Sequence, residues 1–259
     1  MTVADLYQKI LTEFYKLDGA QELLGETVSV TVSEEPERTL RPEGDPPSTV
    51  ARPEYCVTAV LCDSGASATR TAHGTGEAYT ETPSAFQGTL EEALKIPASE
   101  KGISAVSIAA LNAAMNRLGL CPGTFPEDVQ THSAYADAIC RHITEKYGTS
   151  NLVLVGYDGY FVKRFMEEGL DFWTMDRDPD HIAQDRFDHV VVNSAKRNRE
   201  SSFAWGKLFL ITGSTLCNGT IVQYLDSGKE LLFYGITCAG AATLLSLPWF
   251  SPESGGYRP

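Results

Sequence analysis

The sequence predicts an α/β protein in which an α+β domain over residues 1–125 precedes a Rossmann-like parallel-sheet domain over residues 126–259. Two patterns lead to this prediction. The first part mixes strands of alternating polarity with helices. The second part alternates short apolar runs with helical segments, which is typical of a parallel sheet covered on both faces. A length of 259 residues suits one large domain or two domains of moderate size.

The first domain opens with an amphipathic helix, because Leu6, Ile10 and Phe14 recur at helical spacing. The alternating segment ETVSVTVSE then predicts a half-buried strand. The Pro-rich segment EEPERTLRPEGDPPSTVARPE predicts a loop, since proline removes a backbone donor. YCVTAVLCD and the Gly- and Thr-rich segment after it predict two further strands. Thr89 with Glu92 three residues later has the spacing of a capping box, so a helix is expected to start there.

The segment GISAVSIAALNAAMNRLGL predicts another helix, which Gly119 ends. Asn112 and Asn116 lie four residues apart and therefore on one face of this helix. Asparagine is a poor residue inside a helix, because its side chain competes for backbone hydrogen bonds. Two interpretations follow: the pair faces solvent, or one of the two side chains faces a ligand.

The second domain contains the strand-like runs NLVLV, DFWTM, HVVV, LFLI and LLFY, and it ends in SPESGGYRP, which predicts a loose tail. In an open parallel sheet, ligands bind outside the carboxyl ends of the strands. Four polar turns are expected at that edge, at residues 156–159, 176–180, 212–220 and 235–240.

The turn ITGSTLCNGT carries more polar groups than helix capping alone requires. Gly213 and Gly219 permit close approach of the backbone to a ligand. Hydroxyl and amide groups come from Ser214, Thr215, Asn218 and Thr220. A helix that starts near Asn218 or Thr220 would add free N–H groups, which favour a carboxylate, a phosphate or the polar edge of a ring.

Asp176 lies 20 residues beyond Gly156 (176 − 156), the spacing of the acidic residue that binds a ribose in nucleotide-binding folds. The first turn reads GxxG rather than GxGxxG, so the tight pyrophosphate-binding turn is missing and a dinucleotide is disfavoured. An adenosyl ligand, as in methyltransferases, has no pyrophosphate, so the missing motif does not exclude it. Asp158 and Asp176 are the catalytic candidates, because their turns converge at the same edge.

Six cysteines occur and none forms a CxxC pair, which favours reduced thiols and a cytoplasmic location. Cys217 and Cys238 fall in neighbouring turns of the predicted edge, and their soft sulfur atoms are candidate metal ligands. The alternative is that both are small buried apolar side chains.

The acidic composition excludes some classes of partner. The net charge is −13, which argues against a nucleic acid and against an anionic membrane surface. No apolar run is long enough to span a bilayer. The expected partner is a small-molecule ligand, with a metal or metal chelate as one form of it, and formation of a homo-oligomer stays open.

Several segments resemble the "putative heavy-metal chelation" family, formerly a domain of unknown function. They are ISAVSIAALNAAMN, VLVGYDGYFVKRF, FWTMDRDP, ITGSTLCNGTI and LLFYGITCAGAATLL. The resemblance implies an enolase-N-terminal-like domain followed by a Rossmann-like domain, with a shared cleft. It implies ligand contacts at Asn112, Gly156, Asp176, Thr212, Gly213, Ser214, Asn218, Gly219, Thr220 and Gly235. Where the family has G-P-S-x-P, this chain has Gly-Ile-Thr-Cys-Ala and keeps only a hydroxyl, at Thr237.

The expected function is therefore binding of a small metal-chelating, pterin-like or flavin-like molecule between the domains, with condensation or hydrolysis as the activity that the resemblance implies. The alternatives are a non-catalytic metal-binding protein and an adenosyl-dependent methyltransferase. The residues identify no cofactor and no general base, and they leave open whether the chain is an enzyme.

Overall fold

A computed structural model describes residues 1–34, 42–43, 45, 55–62, 73–124, 129–178, 181–182, 185–186, 190–251 and 256–258. Most of the predicted Pro-rich loop, Asp180 and the predicted domain boundary at residue 125 lie outside these ranges.

The first half forms an antiparallel sheet with helices on it. Its strands are β1 (Thr27–Glu34), β2 (Tyr55–Cys62), β3 (Gly74–Thr80) and β4 (Phe86–Thr89), in the order β3-β2-β1-β4. Its helices are α1 (Val3–Phe14), α2 (Ala20–Leu23), α3 (Leu90–Leu94) and α4 (Ala105–Arg117). The predicted capping box is confirmed, because the Thr89 side chain accepts from the Glu92 N–H and the Glu92 side chain accepts from the Thr89 N–H.

The second half forms an eight-stranded, mainly parallel sheet. Its strands are β5 (Leu152–Val155), β6 (Phe172–Asp176), β7 (Asp185–Arg186), β8 (Val190–Ser194), β9 (Leu208–Thr212), β10 (Glu230–Tyr234), β11 (Trp249–Ser251) and β12 (Gly256–Arg258). Its helices are α5 (Val129–Tyr147), α6 (Gly159–Glu167), α7 (Arg199–Trp205), α8 (Val222–Leu225) and α9 (Ala239–Leu245). The mixed α/β fold expected from the sequence is confirmed.

Six strands run parallel across this sheet, in the order β11-β10-β9-β5-β6-β8. Counted along the chain, this is the 3-2-1-4-5-6 order of the Rossmann arrangement. At the two ends, β12 pairs antiparallel with β11 and β7 pairs antiparallel with β8. The prediction of a loose C-terminal tail is therefore wrong at residues 256–258, because the open edge of β11 supplies backbone partners for them.

Helix α4 lies between the antiparallel sheet and α9. Every side chain from Ala105 to Met115 is buried, because one side of the helix packs on β2 and β3 and the other side contacts α9. A helix that is apolar on all sides is expected in such a position. The solvent-facing interpretation of Asn112 is wrong, since this side chain is 0% exposed.

Successive side chains on the strands of the parallel sheet point alternately into two hydrophobic cores. On β5, Val153 faces the core that contains α1, α4 and the antiparallel sheet, whereas Leu154 faces the core formed with α5 and α6. This alternation follows from the two-residue period of a strand. Among the described residues, no helix combines the length and apolar character needed to cross a bilayer.

Candidate functional site

The order in which strands are added to the parallel sheet reverses between β5 and β9. These two strands are neighbours in the sheet, although β6 to β8 separate them in the chain. The carboxyl ends of two such strands form the crevice where open α/β sheets bind ligands. Gly156 follows β5 with φ of +93°, and a β-carbon placed on it would lie 2.7 Å from Thr212 Cγ2 and 3.1 Å from Tyr234 Oη. Only glycine therefore fits at this position, and the Thr212 side chain lines the crevice.

The turn after β5 places carboxylates at the start of α6. Asp158 caps the helix, because its Oδ1 accepts from the N–H of Tyr160 (2.9 Å) and of Phe161 (3.2 Å). A β-carbon on Gly159 would lie 2.6 Å from Asp45 Oδ2, so a second carboxylate is adjacent. In dinucleotide-binding folds this helix N-terminus receives a pyrophosphate. Here two carboxylates lie there instead, which agrees with the missing GxGxxG motif.

Asp176 connects the end of β6 to the turn after β5. Its Oδ2 accepts the Tyr157 N–H at 2.6 Å, and its Oδ1 accepts the Asp178 N–H at 2.7 Å. Burial by itself would raise the pKa of Asp176, but the neighbouring His181 imidazole and these two N–H donors outweigh burial and lower the pKa below its usual value. The carboxylate is therefore charged at neutral pH, and its side chain is only 14% exposed.

His181 lies beside this carboxylate, with its Nδ1 atom 3.4 Å from Asp176 Oδ2. The imidazole ring also packs against the Tyr157 ring, with centroids 4.9 Å apart. The Tyr157 hydroxyl donates to Asp45 Oδ1 at 2.6 Å, which ties the first half of the chain to this turn. His181 is not among the candidates selected from the sequence, although its place five residues after Asp176, in the same turn, is a signal for it.

The 212–220 turn does not lead into a long helix. A short 3₁₀ turn covers Gly213–Thr215, and the helix α8 starts only at Val222 and has four residues. The predicted set of free N–H groups near Asn218 and Thr220 is therefore wrong. The Asn218 N–H donates to Ser214 O at 3.1 Å, and the Thr220 N–H donates to Asn218 Oδ1 at 3.1 Å. Local hydrogen bonds use these groups because the polar side chains fold back on their own turn.

The same turn packs against the first half of the chain. The Ile103 N–H donates to Leu216 O at 3.1 Å. Gly102, with φ of +132°, approaches so closely that a β-carbon on it would lie 1.9 Å from Cys217 O. The buried Gly219 lies against Gly102 from the other side. Much of this small and polar turn thus serves contact between the two halves, while Thr212 and Ser214 stay half-exposed.

The fourth turn is joined to the first half by Asn112. Its side-chain amide nitrogen donates to Glu77 O (2.9 Å), Ile236 O (3.2 Å) and Thr237 O (3.2 Å). Its Oδ1 accepts the Gly240 N–H at 2.9 Å. These contacts are all to backbone groups of the protein. A ligand contact for Asn112 stays a prediction of the resemblance.

Thr237 serves the same junction. Its hydroxyl accepts the Tyr79 N–H at 3.0 Å. Tyr79 lies on β3, an edge strand of the antiparallel sheet, and exposed edges of this kind invite unwanted pairing. Thr237 and Asn112 thus pair two backbone groups of β3, the Tyr79 N–H and the Glu77 carbonyl oxygen. Gly235, the first residue of this turn, has φ of +84°, is half-exposed and has nothing within 4 Å of a β-carbon placed on it.

The two cysteines of these turns are both buried. The Cys238 thiol is 1% exposed and donates to Gly235 O at 3.3 Å. Burial raises the pKa of this thiol well above its usual value, whereas a metal ligand must be a thiolate. Within the described part of the chain, no group of three or more His, Cys, Asp or Glu side chains is arranged to hold a metal ion. These residues do not fit a resident ion, and metal ligation by Cys217 and Cys238 stays a prediction.

Comparison with known proteins finds a family match for part of the chain. Residues 140–246 match the DUF364 family model, described as "Putative heavy-metal chelation". No curated protein matches the chain. A DUF364 protein of unknown function from Pyrococcus horikoshii has a similar structure, with a TM-score of 0.51 and 14% identity over 92% of this chain and 80% of that one. A DUF364 protein of unknown function from Desulfitobacterium hafniense gives a TM-score of 0.45 and 14% identity over 73% and 72%.

At 14% identity the Pyrococcus structure supports the fold alone. The family match runs from within α5 to just past the end of α9, and so includes the turns after β5, β6, β9 and β10. The resemblance predicted from the sequence is confirmed to this extent: residues 140–246 match the DUF364 family model.

Proposed function

We propose that the chain binds a small metal-chelating molecule, with the metal as cargo of that molecule, at the crevice between the ends of β5 and β9. The half-exposed groups there are Gly156, Thr212 and Ser214, with Asp176 beside them. The lack of a fitted set of metal ligands in the described residues favours a chelate over a bare ion. The two carboxylates at the start of α6 disfavour a phosphate in the dinucleotide position.

The observation that carries the proposal is the pairing of a charged, largely buried Asp176 with His181 at the carboxyl edge of the sheet. Binding and catalytic groups in such folds lie at this edge. The carboxylate is fixed by the Tyr157 and Asp178 N–H groups, so it offers the imidazole a rigid partner.

This pair supports condensation or hydrolysis as the reaction class. Asp176 is the positioning residue, because its lowered pKa keeps it charged and unable to hold a proton near neutral pH. His181 is the residue that exchanges the proton, because an imidazole nitrogen can both donate and accept a proton. Asp158 has a structural contact as the cap of α6, so we assign the reaction to the Asp176–His181 pair.

The proposal is tested by thermal-shift screening followed by calorimetry. The panel contains metal chelators with and without a divalent ion, pterins, flavins, nucleosides and the divalent ions alone. We expect a chelator or pterin to bind, and we expect Asp176→Asn and Thr212→Val to weaken that binding about tenfold or more, which corresponds to about 1.4 kcal/mol. The matched control is Asp171→Asn, an exposed carboxylate at the opposite end of β6.

Two outcomes would reject the proposal. One is a hit whose affinity is the same in the wild type, Asp176→Asn and Thr212→Val. The other is tight uptake of a bare divalent ion that Cys217→Ala/Cys238→Ala abolishes, which would favour the non-catalytic metal-binding alternative with Cys217 and Cys238. Binding and chemistry are separated by His181→Gln, which should keep the ligand affinity within about twofold but lower turnover by about 10²-fold or more.

A further inference from the structure

Four basic residues follow two neighbouring strands of the parallel sheet. Arg177 comes directly after β6, and Lys196, Arg197 and Arg199 come shortly after β8. All four side chains are exposed. The chain as a whole has 21 basic and 34 acidic residues. The charge of these cations at one edge is therefore opposite in sign to the net charge of the chain.

Backbone contacts hold the two basic segments next to each other. Asp176 pairs with Ser194 in the register of β6 and β8. Just past the strands, the Ala195 N–H donates to Asp176 O at 2.8 Å. The Arg197 N–H donates to Ser194 Oγ at 3.3 Å, which folds the second segment back toward the strand end. The starts of the two basic segments, at Asp176 and Ser194, are therefore one strand spacing apart, about 5 Å.

Carboxylates do not neutralise these cations in the part of the chain that the structure describes. Arg164, for comparison, contacts three acidic side chains at 2.7–3.3 Å. No described carboxylate lies within 4.0 Å of the charged groups of Arg177, Lys196 or Arg197. The Arg199 guanidinium donates to the neutral amide oxygen of Gln223, at 3.3 Å. Charges that converge without local partners raise the local concentration of counter-ions.

We propose that this basic edge, formed by Arg177, Lys196 and Arg197, binds a small molecule that carries at least two carboxylate or phosphate groups. The inference rests on the proposed function, because it assigns the acidic end of the same ligand to this edge. Two arginines suit such groups, since a guanidinium can bind a carboxylate or a phosphate through two parallel hydrogen bonds.

The distance across the edge sets the size of the ligand. The end of β8 lies two strand spacings from the end of β5, about 10 Å. A molecule of that length reaches from the Gly156–Thr212 crevice to the basic edge. A nucleic acid fits less well, because the net charge of −13 opposes the approach of a long polyanion.

The test compares two triple variants of the full chain with the same charge change. Arg177→Gln/Lys196→Gln/Arg197→Gln removes the basic edge, and Lys9→Gln/Lys101→Gln/Arg141→Gln removes exposed basic residues elsewhere. The probes are citrate and inorganic pyrophosphate, titrated by calorimetry at about 50 mM and about 200 mM salt. Substitutions of exposed side chains should leave the melting temperature of both variants near that of the wild type.

We expect citrate or pyrophosphate to bind the wild type and the control variant alike, and to bind the basic-edge variant at least about tenfold more weakly. Citrate alone would identify a carboxylate ligand, and pyrophosphate alone a phosphate ligand. The inference is overturned if neither probe binds the wild type, if both variants lose affinity equally, or if a single-stranded oligonucleotide displaces the probe at a lower concentration than either small anion.

Failure of this inference is distinguishable from failure of the proposed function. If the basic-edge variant binds both probes normally while Asp176→Asn loses the ligand found by screening, only the assignment of the acidic end is wrong. If the Asp176→Asn hit is unchanged while the basic-edge variant loses citrate, the anion site stands and the assignment of the β5–β9 crevice is wrong.

Discussion

Replacing Asn112 with alanine should destabilise the whole chain. The side chain is 0% exposed and bonds to backbone groups on both sides of the interface between the two halves. Gly240 is the second residue of α9, so its N–H has no acceptor within that helix and depends on Asn112 Oδ1.

The magnitude follows from these contacts. A buried N–H that loses its acceptor costs about 1–3 kcal/mol, and loss of the donated hydrogen bonds adds about 1 kcal/mol, so Asn112→Ala should lower the free energy of unfolding by about 2–4 kcal/mol. For a chain of this size, that corresponds to a fall in melting temperature of roughly 5–15 °C.

Urea denaturation, followed by far-UV circular dichroism and by tryptophan fluorescence, measures this loss. The matched control is Asn116→Ala, one turn later in α4. Asn116 is half-buried and bonds only within the first half, to the Thr75 N–H and to Cys121 O, both at 3.2 Å. We expect the control to cost about 1 kcal/mol. The reasoning is refuted if Asn112→Ala costs no more than Asn116→Ala.

Three further predictions concern single residues. Gly102→Ala should cost more than about 2 kcal/mol, because its β-carbon would collide with a neighbouring carbonyl oxygen, whereas Gly119→Ala, which also has positive φ but open space, should cost about 1 kcal/mol; equal losses in urea denaturation would contradict this. Because the pKa of Asp176 is lowered in the folded state, its contribution to stability is present above the pKa of the unfolded chain and is lost as pH falls through the folded pKa. The difference in stability between wild type and Asp176→Asn should therefore shrink as pH falls below about 4, and a difference that is constant from neutral pH to acid would argue against the assigned contacts. In the native protein, iodoacetamide should modify the half-buried Cys62 well before Cys238, because burial keeps the Cys238 thiol protonated. Mass spectrometry of digests reports the order of modification. Early labelling of Cys238 would contradict the prediction and show that its turn opens.

The parts of the fold that the sequence predicts correctly are set by local patterns. The run Leu152–Val155 is apolar throughout because both faces of its strand are covered, and this can be read without knowing its neighbours. The capping box of Thr89 and Glu92 is likewise complete within four residues. The positions of the turns after β5, β6, β9 and β10 follow from the same strand ends.

The parts that the sequence does not predict depend on partners far away in the chain. Asn112 donates hydrogen bonds to the carbonyl oxygens of Ile236 and Thr237, 124 and 125 residues later in the chain. The residues near Asn112 in the sequence therefore contain no signal against the interpretation that its side chain faces solvent. The C-terminal segment lacks a strong strand pattern and becomes β12 only because β11 offers it an open edge. The lowered pKa of Asp176 depends in part on His181. The distance between these two side chains is set by the tertiary structure and not by their spacing in the sequence.

The hydrophobic cluster that includes Leu6, Val57, Leu111, Phe209 and Ala241 draws on both sheets at once. Because the two halves share this interior, we expect that neither half would fold if it were excised, expressed alone or exchanged with that of a relative. We expect calorimetry to record one heat-absorption peak for the chain. We also expect a cut near residue 125 to yield two insoluble fragments instead of two folded domains.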